Sequence, residues 1–192
     1  MGNTDAIRSR WDRRAVHYDA AGRLLERLLI GDSRAWIGRQ ATGRTLEVAV
    51  GTGRNLPHYP AGLDLTGLDL SPEMLARARR RAAELGRRVD LREGDAERLP
   101  FPDGSFDTVV CTLALCAVPD REAAIAEIDR VLRPGGRLLL LDHVERRWRR
   151  GRPADLAADR GFRPDRRDRL RLGVIDRLAA RKPASPAGDG TG

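Results

Sequence analysis

The stretch that decides the fold runs from Thr45 to Asn55 and reads Thr-Leu-Glu-Val-Ala-Val-Gly-Thr-Gly-Arg-Asn. Its apolar first half predicts a buried strand over residues 45–50 that contains a single acid, Glu47. Gly51 and Gly53 then end this strand. Because glycine has no Cβ, a Gly-rich loop after a strand lets backbone N–H groups approach a ligand closely. The stretch therefore predicts a ligand-binding loop at the end of the first strand.

A loop of this kind also binds nicotinamide dinucleotides, for which the fingerprint is Gly-x-Gly-x-x-Gly. Here Leu56 occupies the place of the third glycine, and Glu47, four residues before Gly51, has no role in that fingerprint. An NAD-dependent reductase is therefore an alternative hypothesis that the glycine pattern disfavours.

Two further acids follow predicted strands. A second strand over residues 63–70 carries Asp69 at its end, 18 residues after Gly51. A carboxylate at this place can accept hydrogen bonds from both hydroxyl groups of a ribose. A short third strand over residues 88–92 leads into Gly94-Asp95-Ala96, where Asp95 can accept a hydrogen bond from an exocyclic amine. The spacing predicts that both acids meet a nucleoside at one edge of a sheet.

The remaining elements alternate between helices and strands. Ser71, Pro72 and Glu73 form a helix start, and the apolar stripe of that helix begins at Met74. Later helices are predicted over residues 121–133 and 153–160, and later strands over residues 106–115, 137–144, 162–168 and 170–178. This order predicts an α/β protein with a doubly wound, Rossmann-like and mostly parallel sheet. We expect the segment from Thr112 to Val118 to line the pocket.

The first forty residues show helical spacing of apolar side chains, with a break predicted near residues 19–22 and an end at Gly38. One interpretation is a pair of helices that only covers the core. The other is a lid over the ligand, formed by Trp11, His17 and Tyr18. The predicted organisation is an N-terminal helical cap over residues 1–40, a ligand-binding domain over 41–182 and a disordered tail over 183–192.

Five motifs in order carry a family resemblance. They are Glu-x-Ala-x-Gly-x-Gly at 47–53, Gly-Leu-Asp-Leu-Ser-Pro-Glu-Met-Leu at 67–75, Gly-Asp-Ala-Glu-x-Leu-Pro-Phe at 94–101, Phe-Asp-Thr-Val-Val-Cys-Thr-Leu at 106–113 and Leu-Arg-Pro-Gly-Gly at 132–136. Together they resemble the class I methyltransferases that use S-adenosylmethionine. The sequences of these motifs are most similar to those of the quinone-biosynthesis and phosphatidylethanolamine N-methyltransferase types. Ala49 occupies the position of the family's first glycine. We expect its methyl group to reduce the space beside the loop without blocking the binding of a ligand there.

The resemblance implies a methyltransferase that passes a methyl group to a small or lipid-like acceptor such as a quinone, a phospholipid amine or a thiol. It implies S-adenosylmethionine as cofactor and no metal. The cofactor-binding residues it implies are Glu47, Ala49, Gly51, Thr52, Gly53, Asn55, Asp69, Leu70, Met74, Asp95, Ala96, Thr112 and Leu113. A general base is needed only if the acceptor must lose a proton, and His143 at the end of the fifth strand and Tyr18 are the candidate catalytic residues. A non-catalytic protein with the same fold is the second alternative.

Composition and charge restrict the partners. The 192 residues carry a formal charge of +8, and residues 145–182 hold 13 Arg and one Lys against six acids. Few aromatic residues are interleaved there, which argues against nucleic acid and leaves a solvated basic face or peripheral contact with an anionic membrane. The N-terminus has no apolar core, and the two cysteines, Cys111 and Cys116, give no disulfide framework, so we expect a cytoplasmic protein with buried, reduced thiols. The oligomeric state is left open.

Overall fold

The computed structural model describes residues 5–15, 29–143, 152–170 and 173–184. Its helices are α1 over residues 5–15, α2 (Ser33–Gly38), α3 (Pro72–Glu84), α4 (Arg121–Val131) and α5 (Pro153–Asp159). Its strands are β1 (Thr45–Val48), β2 (Leu65–Asp69), β3 (Asp90–Glu93), β4 (Phe106–Thr112), β5 (Leu132–His143), β6 (Arg163–Leu170) and β7 (Ile175–Arg181). Two short 3-10 helices lie at Leu56–His58 and Leu115–Ala117.

The strands of the described residues form one seven-stranded sheet in the order β3-β2-β1-β4-β5-β7-β6. The first five strands are parallel, whereas β7 runs antiparallel to β5 and to β6. Connections between parallel strands need a crossover, and α3 and α4 supply two of them. The predicted fold class, a doubly wound and mostly parallel sheet, is confirmed.

Helices cover both faces of the sheet, and the core therefore has two halves. In β5, Leu138 and Leu140 pack with α4 and α5, whereas Leu139 and Leu141 pack with α2 and α3. Successive side chains of a strand point to opposite faces, so a strand that is covered on both sides reads as a continuous apolar run. Among the described residues, no helix is long and apolar enough to cross a membrane.

Several element boundaries differ from those predicted, for local reasons. Strand β1 ends at Val48 because Ala49 has a φ of 55° and leaves the extended conformation. Helix α4 ends at Val131 because Leu132 is extended and pairs with Phe106 of β4. The predicted strand over residues 170–178 is shifted, since Leu170 ends β6 and β7 begins only at Ile175. The predicted helix break near residues 19–22 lies outside the described residues, as does the tail from residue 185.

Candidate functional site

A cleft lies at the carboxyl ends of the parallel strands, where ligands bind in open α/β sheets. Its empty space is about 940 Å³, including the part that is open to solvent. The wall combines residues from α1 and α2, from the loops after β1, β2 and β3, and from the exit of β4. The lining residues are Ile7, Trp11, Arg34, Glu47, Ala49, Val50, Gly51, Thr52, Arg54, Leu68, Asp69, Leu70, Met74, Gly94, Asp95, Ala96, Glu97, Thr112, Leu113, Ala114, Ala117, Val118 and Pro119.

The loop after β1 turns sharply over the sheet. Gly51 and Gly53 have φ values of 56° and 77°, in the left-handed region that favours glycine. A Cβ added at Gly51 would meet no atom within 4 Å, whereas one at Gly53 would lie 2.8 Å from Cδ1 of Leu56. Gly51 therefore leaves space in the cleft wall, and Gly53 is required for packing behind it.

Asp69 ends β2 and joins two loops through its carboxylate. Its Oδ2 accepts a hydrogen bond from the backbone N–H of Gly51 at 2.8 Å, and its Oδ1 accepts one from that of Ser71 at 2.9 Å. Burial raises the pKa of Asp69, and these backbone donors oppose the rise. An ionised carboxylate offers about four acceptor sites, so each oxygen keeps capacity for a further donor.

Glu47 is the centre of a buried polar network beneath the loop. Asn55 Nδ2 donates to its Oε1 at 2.8 Å, and the hydroxyl group of Tyr59 donates to its Oε2 at 2.9 Å. Asn55 also donates to Oγ1 of Thr112 at 2.9 Å and accepts from Nη1 of Arg34 at 2.7 Å. Burial raises the pKa of Glu47 to about 7, although the hydrogen bond from Tyr59 and the charge of Arg34 oppose the rise. The network joins β1, β4 and α2 under one end of the cleft.

The loop after β3 brings a second pair of acids to the wall. Oδ1 of Asp95 accepts from the backbone N–H of Glu97 at 2.9 Å, which fixes a tight turn. Oε1 of Glu97 in turn accepts from the backbone N–H of Asp120 at 2.9 Å, at the start of α4. The half-buried Asp95 is thereby held on the same cleft as Glu47 and Asp69.

The exit of β4 forms the opposite, largely apolar wall. Leu113 has a φ of 54°, and its backbone N–H donates to the carbonyl of Leu141 at 2.6 Å. The following turn is held by the buried Asp142, of which Oδ2 accepts from the backbone N–H of Cys116 at 3.2 Å. Burial raises the pKa of Asp142 to about 6. The turn thereby places Ala114, Ala117 and Val118 on the wall.

Helix α1 contributes to the cleft wall beside the loop after β2. Its Ile7 and Trp11 line the wall. Asp12 accepts a hydrogen bond from the hydroxyl group of Ser71, which also caps α3 by accepting from the N–H of Met74. The helix is thus attached directly to the loop that follows Asp69.

Most of the predicted site residues meet in this cleft. Every predicted cofactor-binding residue lines it except Gly53 and Asn55, which lie behind the wall in the contacts described above. Cys111 is buried, as expected, but Cys116 is only half-buried. The described residues contain no group of three or more His, Cys, Asp or Glu able to hold a metal ion.

The two candidate bases have different outcomes. His143 is the last residue of β5, where it pairs with Ile175 of β7, and it does not line the cleft. It is half-buried, and its backbone N–H donates to Asp142 at 2.7 Å. Tyr18 and His17 lie outside the described residues, and Trp11 is the one member of the predicted lid that the structure describes. The roles of His143 and Tyr18 stay predictions.

Sequence reasoning missed three charged residues on the wall, namely Arg34, Arg54 and Glu97. Arg54 directly follows the first motif and Glu97 is part of the third, so both positions could have been inferred from the motifs. Arg34 lies in α2, before the first motif, and the sequence holds no comparable signal for it.

Comparison with known proteins agrees with this geometry. Residues 46–140, about half of the chain, match the family described as a methyltransferase domain. The chain is 46% identical over 106 residues to a phosphatidylethanolamine N-methyltransferase of Cereibacter sphaeroides, an alignment that covers 54% of the chain and 52% of the relative. It is 40% identical over 138 residues to a demethylmenaquinone methyltransferase of Thermus thermophilus, covering 67% and 61% of the two chains.

The chain thus spans little more than half the length of the curated relatives it matches. Among solved structures, a SAM-dependent methyltransferase from Aquifex aeolicus has the same fold, with a TM-score of 0.64, 20% identity and coverage of 81% of this chain and 92% of that one. Sequence, sheet order and cleft all lead to one family. The chain belongs to the class I methyltransferases, whose cofactor is S-adenosylmethionine.

Proposed function

We propose that the chain transfers a methyl group from S-adenosylmethionine to a small or lipid-like acceptor. The observation that supports this most is the meeting of Glu47, Asp69 and Asp95 in one cleft, each supplied by a neighbouring strand or the loop after it. The relatives named above methylate a phospholipid amine and a quinone precursor, according to their names. Because the chain spans only part of those relatives, its own acceptor is part of the proposal.

The cleft residues fit the proposed cofactor. Space beside Gly51 would admit the ligand to the backbone, and the acceptor capacity of Asp69 matches two ribose hydroxyl groups. Asp95 would accept from the adenine amine, while Leu70, Met74 and Ala96 would pack against the ring. Glu47 would face the methionine ammonium group. The backbone of Ala49 and Thr52 would lie along the part of the cofactor that connects the ribose to this ammonium group. Gly53 and Asn55 would support these contacts from behind the wall.

When bound, S-adenosylmethionine supplies a methyl group that is already electrophilic because it is attached to a sulfonium. The protein therefore has to align the acceptor and exclude water. Thr112 and Leu113 would border the methyl group, and the apolar Ala117 and Val118 would hold the acceptor. These apolar side chains suit a quinone ring or the glycerol region of a lipid better than a strongly charged acceptor.

The remaining proposals concern organisation and surroundings. We propose that residues 1–40 form a cap, residues 41–182 the cofactor domain and residues 183–192 a tail.

Within residues 145–182, Arg167 pairs with Asp176 at 2.6 Å and Arg177 pairs with Asp168 at 2.8 Å, so part of the basic charge is neutralised within the fold. The proposed contact with an anionic membrane would use exposed arginines of that segment such as Arg163 and Arg169. A cytoplasmic location stays a prediction.

The decisive experiment supplies a donor with a radiolabelled methyl group together with separate lipid and polar cell extracts. We expect transfer of label into one fraction by the intact chain and loss of transfer in Asp69→Ala. Binding of S-adenosylmethionine in calorimetry without transfer to any fraction would support a non-catalytic protein instead. Binding of NAD in place of S-adenosylmethionine would refute the proposed function.

A further inference from the structure

The turn that joins β6 to β7 lies at the same edge of the sheet as the cleft. Ile175, the first residue of β7, pairs with His143 at the end of β5 and with Leu170 at the end of β6. Because β5 runs parallel to β4, this end of the hairpin lies at the carboxyl edge, where the cleft opens. Adjacent strands are about 4.8 Å apart, so the turn lies roughly 10 Å from β4 along this edge. The turn is therefore a neighbour of the cleft opening.

The β6–β7 turn, defined here as Arg169, Leu170, Gly173 and Val174, exposes an apolar side chain. The backbone N–H of Gly173 donates to the carbonyl of Leu170 at 3.1 Å, and Val174 follows with 44% of its surface exposed. The other exposed large hydrophobic residue in the described part of the chain is Leu85, at 42%. Leu85 lies at the opposite edge, because α3 runs from the end of β2 back to the start of β3. Of these two side chains, only Val174 lies at the cleft edge.

The charged groups at this end of the hairpin leave the turn positive. Asp176 accepts hydrogen bonds from Nε and Nη2 of Arg167, and Asp168 accepts one from Nε of Arg177 at 2.8 Å. Both acids are thereby paired within the fold. Arg169 is exposed, and no acid pairs with it among the residues that the structure describes. A basic and an apolar side chain thus lie together on the exposed turn.

Two exposed arginines, Arg163 and Arg169, lie near opposite ends of β6. Arg163 pairs with Arg181 of β7, which in turn pairs with Arg137, near the amino ends of the parallel strands. Arg169 pairs with Asp176, at the carboxyl edge. The two arginines have the same charge on the same strand and differ in the edge of the sheet at which they lie.

An anionic lipid surface is complementary to the β6–β7 turn. Its headgroups attract basic side chains, and the boundary between headgroups and acyl chains accepts apolar ones. The formal charge of +8 draws the whole chain toward such a surface but does not fix its orientation. A nucleic acid or an acidic peptide would attract Arg169 without using the exposed Val174. The pair of side chains therefore favours a bilayer and selects the cleft edge as the side that faces it.

We propose that the β6–β7 turn contacts an anionic lipid bilayer, with Val174 at the headgroup boundary and Arg169 beside the lipid phosphates, so that the cleft opens toward the membrane. This inference rests on the proposed function, because the orientation gives the cleft access to a lipid-like acceptor that is held in the bilayer. It narrows the membrane contact to one end of β6, at Arg169, and leaves Arg163 on the side that faces away.

Sedimentation with phosphatidylcholine vesicles, prepared with and without phosphatidylglycerol, tests the contact. The full chain is compared with Val174→Ser and Arg169→Glu, and with Leu85→Ser and Arg163→Glu as matched controls from the opposite edge. We expect the unaltered chain to bind the anionic vesicles at least about tenfold more tightly than the neutral ones. Val174→Ser and Arg169→Glu should each weaken this binding about fivefold or more, and each control by no more than about twofold.

Three further measurements complete the test. Arg169→Lys keeps the charge and should retain the binding of the unaltered chain. The melting temperature of each variant shows whether it is folded, and all the altered positions except Arg169→Lys are compared in pairs of equal chemistry. Sedimentation velocity without vesicles shows whether the turn is instead a contact between two copies of the chain.

The inference is overturned if the unaltered chain does not bind anionic vesicles, if the variants of both edges weaken binding equally, or if the controls weaken it more. It is also overturned if Val174→Ser changes self-association and leaves vesicle binding unchanged. Calorimetry with S-adenosylmethionine separates the two proposals. Vesicle binding through the turn by a chain that does not bind S-adenosylmethionine would refute the proposed function and not the lipid contact.

Discussion

Glu47 makes the stability of the fold depend on pH in an unusual direction. Burial raises its pKa from 4.5 to about 7, so the folded chain binds a proton that the unfolded chain releases. The contribution of protonated Glu47 to the free energy of unfolding is complete below pH 4.5, the pKa of this group in the unfolded chain. It is lost as the pH rises through about 7, the pKa in the folded chain. A salt-bridged carboxyl group, with a lowered pKa, would give the opposite slope.

The size of the effect follows from the shift. A pKa that moves from 4.5 to about 7 in a fully buried group corresponds to about 3 kcal/mol across the whole range. Between pH 6 and pH 8, Glu47 should account for a loss of about 1.3 kcal/mol in the free energy of unfolding. Asp142, with a pKa raised to about 6, adds only about 0.4 kcal/mol over the same interval, since most of its titration lies lower.

Urea denaturation of the intact chain and of Glu47→Gln at pH 6 and pH 8 measures this contribution. The neutral glutamine cannot titrate, so we expect the loss between the two pH values to be about 1.3 kcal/mol smaller in the variant than in the intact chain. Asp142→Asn serves as the matched control and should change the difference by less than about 0.5 kcal/mol. If Glu47→Gln retained the full pH dependence, Glu47 would not be the group that binds the proton in the folded chain.

Four further substitutions test the cleft and the loop behind its wall. Asp69→Ala should weaken binding of S-adenosylmethionine by about 1–3 kcal/mol in calorimetry, because it removes charge-assisted acceptors at a buried site; unchanged affinity would remove Asp69 from the binding site. Gly53→Ala should lower the melting temperature more than Gly51→Ala, because both residues have a positive φ but only the Cβ at Gly53 would lie 2.8 Å from Leu56; a larger loss for Gly51→Ala would contradict the packing. Ala49→Gly should leave the free energy of unfolding unchanged or raise it by up to about 1 kcal/mol, because Ala49 has a φ of 55°, and a clear loss of stability would show that the loop is not strained.

Much of the sheet and the part of the cleft around Asp69 could be predicted from the sequence because both follow local rules. A buried parallel strand is a continuous apolar run, and the residue that ends it lies at the ligand edge of the sheet. Asp69 satisfies this rule directly as the last residue of the buried β2, whereas Asp95 lies two residues after the largely exposed β3. The 3-10 turn at Leu56–His58 was also predictable, since Pro57 and Pro60 exclude a longer helix there.

The part of the cleft around Glu47 and Arg34 could not be predicted in the same way, because it depends on contacts between distant segments. Arg34 meets Asn55 across 21 residues, and no periodicity or spacing links them. His143 is a different case, because it ends β5 as predicted but does not line the cleft, and its catalytic role stays a prediction. The antiparallel pairing of His143 with Ile175 continues the sheet past the cleft. Strand ends therefore identify the edge of a site more reliably than the members of its wall.

Backbone strain at two neighbouring strand ends is what turns the chain over this edge. Ala49 and Leu113 are both non-glycine residues in the left-handed region, and both line the cleft. Such conformations cost of order 1–3 kcal/mol each and persist only where the surroundings enforce them. Here the sheet does so, since Val50 N–H donates to the carbonyl of Leu68 at 2.9 Å and Leu113 N–H donates to that of Leu141. These two backbone hydrogen bonds thus hold the chain where it leaves the strand direction, and they position the loops that carry the groups proposed to bind the cofactor and the acceptor.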